Sequence, residues 1–217
     1  MNYTKKKTKL SKEIFENLIS YVDELTVISN RKSLQLTDEE FKIENNKLYK
    51  LIQNHFEYKG NTYLTIRISF SDNEINNQFH YDGHGDSTVI PIKFENFKKN
   101  ENNGELFLSK KSRSCNNSIM NLFTKILLQN RLYRYIIKYN PNFFFNKFDK
   151  IKMDVGDEVS FNGFKVFHGN TRLDGSNKMR ASLIVHSQEI YKDNELYEFI
   201  KFLRHKKNKV FNKKYIL

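Results

Sequence analysis

Hydrophobic residues recur at two periods along this chain, and the change from one to the other divides it. Between Ser11 and Ile28, the residues Ile14, Phe15, Leu18, Ile19, Val22 and Leu25 fall at helical spacing behind a serine suited to cap the first turn. A second helix is predicted to start at Thr37, where Thr37 and Glu40 fit a capping box, and to carry Phe41, Leu48 and Ile52 on its apolar side. Lys59-Gly60-Asn61 breaks that pattern. From there the period is two. Leu64, Ile66, Ile68 and Phe70 line one face of a strand, while Tyr63, Thr65, Arg67 and Ser69 line the other. Further strands are predicted at 87–94, 105–108, 149–154, 157–161, 164–168 and 179–187. Residues 117–138 return to helical spacing, with Ile119, Leu122, Phe123, Ile126, Leu127, Leu132 and Ile136.

Short strands without strand–helix alternation predict a mostly β fold with flanking helices, either a sandwich or a jelly-roll barrel. The expected organisation is an N-terminal helical support over 1–59, a β core over 60–187 with the helical insertion at about 117–138, and a basic C-terminal segment over 188–217. All three are expected to form one structural domain, as 217 residues allow.

Composition narrows the function classes. Apolar residues make up 38% of the chain, with 19 Phe and 12 Tyr, which is enough for a core and argues against a wholly disordered chain. The single Cys115 excludes an intramolecular disulfide framework and a zinc–thiolate cluster. No apolar run is long enough to span a bilayer, and the basic N-terminus is not followed by an apolar segment, so the expected location is the cytoplasm. The net charge of +12 is concentrated partly in KKKTK at 5–9 and HKKNKVFNKK at 205–214. Such tails attract nucleic acid or anionic surfaces without sequence selectivity. They read equally well as a general bias, since Lys and Asn abound throughout.

The stretch FHYDGHGD at 79–86 crowds two histidines and two carboxylates between glycines. Alone it reads either as a polar turn or as part of a metal site. His80 and Asp82 are one residue apart, a spacing that points both side chains to one side of an extended strand end. An imidazole and a carboxylate are two members of a 2-His-1-carboxylate triad of the kind that holds Fe(II) with positions left open. A third ligand has to come from elsewhere, and His168, followed by Gly169, is suitably placed after the turn at Gly156-Asp157. Arg180 and Ser182 lie two apart on a later strand. A guanidinium can grip a carboxylate with two hydrogen bonds, and the hydroxyl adds a third.

HYD at 80–82, His168 and RAS at 180–182, in that order, resemble the HxD, distal His and Arg-x-Ser motifs of the Fe(II)- and 2-oxoglutarate-dependent oxygenases. NNGELFL at 102–108 and GDEVSFNG at 156–163 resemble connecting turns of that superfamily's double-stranded β-helix. The resemblance covers residues 60–187 and leaves the subfamily open between prolyl-hydroxylase-like and phytanoyl-hydroxylase-like. It implies Fe(II) on His80, Asp82 and His168, with 2-oxoglutarate anchored by Arg180 and Ser182 and O2 as cosubstrate. The implied reaction is hydroxylation of a C–H bond coupled to decarboxylation of 2-oxoglutarate to succinate and CO2. Asp82 stands where the family's halogenases carry a small residue, which points to hydroxylation.

Other residues are weaker candidates. Tyr63 could offer its phenol to the keto acid. Arg67 shares its strand face and could meet substrate or keto acid, unless that face looks to solvent. His84 is expected on a mobile, substrate-side loop between glycines, and Arg172 could meet an anionic substrate. His186 shares the parity of Arg180 but is expected to be a satisfied core or surface histidine. The expected substrate is a small polar or amino-acid-like molecule. A nucleic-acid or protein side-chain hydroxylase or demethylase is the first alternative, although the second arginine of the demethylases has no counterpart between Arg180 and Arg204. A basic nucleic-acid-binding module without catalysis is the second.

Overall fold

A computed structural model describes residues 2–56, 61–73, 79–97, 104–114, 147–170, 173 and 175–189. Nine strands and three helices fall within them: β1 (Tyr3–Lys7), α1 (Lys12–Ile28), β2 (Leu34–Leu36), α2 (Asp38–Glu44), α3 (Asn46–His55), β3 (Thr62–Phe70), β4 (His84–Glu95), β5 (Leu106–Ser109), β6 (Phe148–Ile151), β7 (Asp157–Phe161), β8 (His168–Asn170) and β9 (Met179–Glu189). The strands form two sheets, a six-stranded one in the order β1-β7-β4-β9-β3-β2 and a three-stranded one in the order β6-β5-β8. All the pairings are antiparallel. A bridge between His80 and His168 extends the smaller sheet beyond β8. Two antiparallel sheets with this interleaved order form a jelly roll, as the strand pattern predicts.

The helices explain the two-residue period. Leu64, Ile66, Ile68 and Phe70 of β3, Ile90 and Ile92 of β4, and Ala181, Leu183 and Val185 of β9 are buried in one cluster with Leu18, Val22 and Leu25 of α1, Phe41 of α2, and Leu48 and Ile52 of α3. The apolar face of the large sheet therefore carries the helices. Its opposite face, bearing Thr65, Arg67, Arg180, Ser182 and His186, lines a cleft toward the smaller sheet. Leu106, Leu108, Ile151, Val159, Phe161 and Val166 form a second apolar cluster. Polar residues on β3 and β9 thus face the interior of the roll, and the solvent-facing alternative for Arg67 does not hold.

Ser11 caps α1 as predicted, its hydroxyl accepting from the Ile14 amide. Thr37 and Glu40 complete their capping box. The single helix expected after Thr37 is two helices, because Asn45 leaves helical geometry (φ −139°, ψ 69°) and caps α3 by accepting from the Leu48 amide. Asparagine competes readily with the helical backbone for such a bond.

Two strands lie where none is predicted. β2 pairs with β3, and β1 pairs with β7 at the edge of the large sheet. The N-terminal lysines are therefore not a free tail: Lys5 and Lys7 meet Asp157 at 3.0 and 2.6 Å, and Lys6 meets Glu158 at 3.2 Å. Edge lysines also discourage pairing with further chains. The strand expected at 164–168 is a turn that gives way to β8, so His168 begins a strand instead of ending one. The helical insertion 117–138, Cys115, Arg172 and the basic segment beyond Glu189 lie outside the described residues. Among the described residues, no helix is long and apolar enough to cross a membrane.

Candidate metal and carboxylate site

Three segments converge on Asp82. Its amide donates to the Gly163 carbonyl at 2.9 Å, which docks the HYD segment on the turn after β7. Paired backbone bonds between His80 and His168, at 2.8 and 3.0 Å, bring the two histidines side by side. Their ring centroids are 4.4 Å apart. His80 Nε2 lies 3.2 Å from Asp82 Oδ1, and His168 Nε2 lies 3.4 Å from Asp82 Oδ2. One ligand atom from each of the three residues falls within 4.8 Å of the others.

The hydrogen bonds behind these atoms fix their roles. His168 Nδ1 is 2.9 Å from the Val166 carbonyl, which can only accept, so Nδ1 carries a proton and Nε2 is the ring nitrogen that faces Asp82. The edge of Phe161 against the His168 ring, 4.7 Å between centroids, holds its plane. Ser87 donates a short hydrogen bond to Asp82 Oδ2, and His186 Nδ1 lies 3.0 Å from the Ser87 hydroxyl. With the Ser87 proton directed to the carboxylate, His186 donates in turn. Burial alone would raise the Asp82 carboxyl, but the neighbouring His168 and His186, with hydrogen bonds from His168 and His80, hold it well below the usual carboxylate range. Burial also holds the His186 imidazole below its ordinary value, against the pull of Asp82.

The donor set suits a divalent iron: two imidazoles and one carboxylate whose charge is maintained, clustered at one end of a cleft. Arg180 and Ser182, both buried, line the same cleft from β9. Arg180 Nη1 donates to the Gly104 carbonyl, which also accepts from Asn170 Nδ2 at 3.2 Å. Gly104 has φ +72°, and a Cβ there would meet Arg180, so the close approach depends on glycine.

Of the weaker candidates, Arg67 lines the cleft. Tyr63 instead packs its ring on His84, 5.1 Å between centroids. His84 is not on a loop; it opens β4 and stacks on His186 at 4.9 Å. His186, expected to be a satisfied core or surface histidine, is hydrogen-bonded to Ser87 and also lies 3.7 Å from the Asp82 carboxylate. Sequence reasoning missed Ser87, Gly163 and Arg113. The Arg113 guanidinium lies over Tyr81 at 3.8 Å and Phe164 at 4.5 Å, while its Nε donates to the Phe164 carbonyl at 2.8 Å. It ties the residue between His80 and Asp82 to the turn that receives Asp82. Only the alternation of β4 pointed to Ser87, and nothing in the sequence pointed to Arg113.

Fold and site combine a double-stranded β-helix with two histidines and one carboxylate placed to hold a metal ion. The solved structures that the chain resembles carry that fold. An α-ketoglutarate-dependent epimerase, SnoN of nogalamycin biosynthesis, aligns with a TM-score of 0.52 at 10% identity, over 86% of this chain and 78% of that one. HygX from Streptomyces hygroscopicus, solved with nickel and 2-oxoglutarate, aligns at 0.50 and 8% identity, over 87% and 84%. A prolyl hydroxylase from Trichoplax adhaerens, in complex with a hypoxia inducible factor peptide, aligns at 0.50 and 10% identity, over 87% and 84%. No family model and no curated protein matches the chain. The chain thus has the fold of the Fe(II)- and 2-oxoglutarate-dependent dioxygenases.

Proposed function

We propose that the protein is an Fe(II)- and 2-oxoglutarate-dependent dioxygenase that hydroxylates a C–H bond of a small polar or amino-acid-like substrate. The observation that carries this reading is the convergence of His80, Asp82 and His168 at one end of a cleft whose wall bears the buried Arg180 and Ser182. The two Nε2 atoms and one Asp82 oxygen hold the metal. The second Asp82 oxygen stays engaged by Ser87, which favours coordination through one oxygen and preserves open positions. Arg180 and Ser182 bind the distal carboxylate of the keto acid. The metal, the keto acid and O2 together would supply the oxidising chemistry, one oxygen atom going to succinate and the other to the substrate, with release of CO2. The protein contributes orientation and exclusion of water, the latter from Val89, Leu106, Phe161 and Ile184 in the cleft wall.

A nucleic-acid substrate is less well supported. Lys5, Lys6 and Lys7 are engaged with Asp157 and Glu158, so part of the basic charge that suggested it is used within the fold.

The test is turnover of the keto acid without added substrate. Purified protein with Fe(II), 2-oxoglutarate, ascorbate and air is expected to form more succinate than there is enzyme, and His168→Ala is expected to form none above the enzyme-free control. Equal succinate from wild type and His168→Ala, or none from wild type with iron bound, would contradict the proposal.

A further inference from the structure

Arg67 lines the cleft with the metal-ligand cluster, where Asp82 acts on it through space, yet among the described residues no carboxylate pairs directly with its guanidinium. Nη2 donates to Gln35 Oε1 at 3.1 Å, and Gln35 is neutral. Nε is buried with no hydrogen-bond partner. Register explains the position: Gln35, Arg67 and Ser182 are successive cross-strand neighbours on β2, β3 and β9, and all three line the cleft. Arg67 differs from Arg113, whose guanidinium is covered by two aromatic rings, in facing the cleft itself, where a partly buried charge held only by a neutral amide favours an anion. Gln35 orients the group without neutralising it.

Counting charge identifies what is missing. Among the described residues lining the cleft, Asp82 is the single carboxylate, set against Arg67 and Arg180. Under the proposed function, the carboxylates of the keto acid go to the metal and to Arg180, and the single positive charge of Arg67 is suited to a monoanion.

We propose that Arg67 is a specificity-determining residue that binds a carboxylate of the primary substrate, so that the enzyme acts on a carboxylic acid and not on a neutral or cationic molecule. This rests on the proposed function. The same carboxylate chemistry could come from the keto acid itself, and the test separates the two sources. Full-length protein is loaded anaerobically with Fe(II) and titrated with 2-oxoglutarate, following the visible charge-transfer band, for wild type and Arg67→Gln. The loaded complex is then titrated with N-acetyl amino acids and short monocarboxylates, each beside its neutral amide, following thermal midpoint and band position.

The expected result is a keto-acid half-saturation unchanged within about twofold by Arg67→Gln. At least one acid should bind wild type about tenfold more tightly than its amide, the preference of a charge-assisted bidentate grip. That preference should vanish in Arg67→Gln and return in part in Arg67→Lys. No preference for acid over amide in wild type, or one that survives Arg67→Gln, overturns the proposal. So does a rise of tenfold or more in keto-acid half-saturation, which would assign Arg67 to the cosubstrate. Absence of any band in wild type would instead count against the oxygenase reading itself.

Discussion

Gly163→Ala is expected to strip metal affinity from a protein that still folds. A Cβ at Gly163 would lie well inside contact distance of Asp82 Oδ2 and the Ser87 hydroxyl, and 3.0 Å from Asp82 Cβ. Two side-chain ends can rotate away at small conformational cost, so the loss of stability should stay near that of a mild overpacking, about 1–3 kcal/mol. The rotation that relieves the fold, however, moves the only carboxylate of the ligand set and breaks its bond from Ser87. Disturbing the groups that orient a ligand already costs about 10–100-fold in metal affinity. Displacing the ligand itself should reach the upper end of that range, about 100-fold. Fe(II) or Mn(II) binding by calorimetry, beside thermal denaturation of the apoprotein, checks both halves. A variant with wild-type metal affinity would mean that Asp82 is not a ligand in this geometry.

Arg180→Gln is expected to leave metal binding intact and weaken 2-oxoglutarate severely. The guanidinium is buried on the cleft wall, where a carboxylate brought out of water needs a full positive partner. Removing one member of such a pair costs about 2–5 kcal/mol, or roughly 30- to 4,000-fold in half-saturation. Arg180→Lys should recover only part, because an ammonium cannot reproduce the two-pronged grip. The fold should tolerate the change, since the Gly104 carbonyl keeps its bond from Asn170. Equal keto-acid affinity in Arg180→Gln would place the distal carboxylate elsewhere.

The sequence carried the His80-Asp82-His168 cluster because its residues are local or ordered: His80 and Asp82 in one tripeptide, and His168 at the end of a predicted strand. It leaves the other face of the strands open for a physical reason. On β3 and β9 the apolar parity faces helices, and the polar parity faces the cleft, so alternation shows two environments without saying which is wet. Arg67 therefore reads equally as a cleft residue or a solvent-facing one. His186 was undervalued because its partners, Ser87 and Asp82, come from β4 and the HYD segment, and only sheet register joins them. The N-terminal lysines read as a tail because the edge strand Tyr3–Lys7, three of whose five residues are lysine, has no hydrophobic signature; it is held by pairing with β7 and by Asp157 and Glu158. Asn45 divided a predicted helix by a side-chain bond that periodicity does not register.

The central claim is that His80, Asp82 and His168 hold Fe(II) while a keto acid chelates it from the cleft of Arg180. It is tested most directly by adding Fe(II) and then 2-oxoglutarate to the protein without oxygen and recording the visible spectrum. The account predicts a weak, saturable charge-transfer band in wild type, absent in His168→Ala and requiring far more keto acid in Arg180→Gln. A wild-type protein that is folded and binds Fe(II) but shows no band, or a His168→Ala variant whose band equals that of wild type, would contradict it.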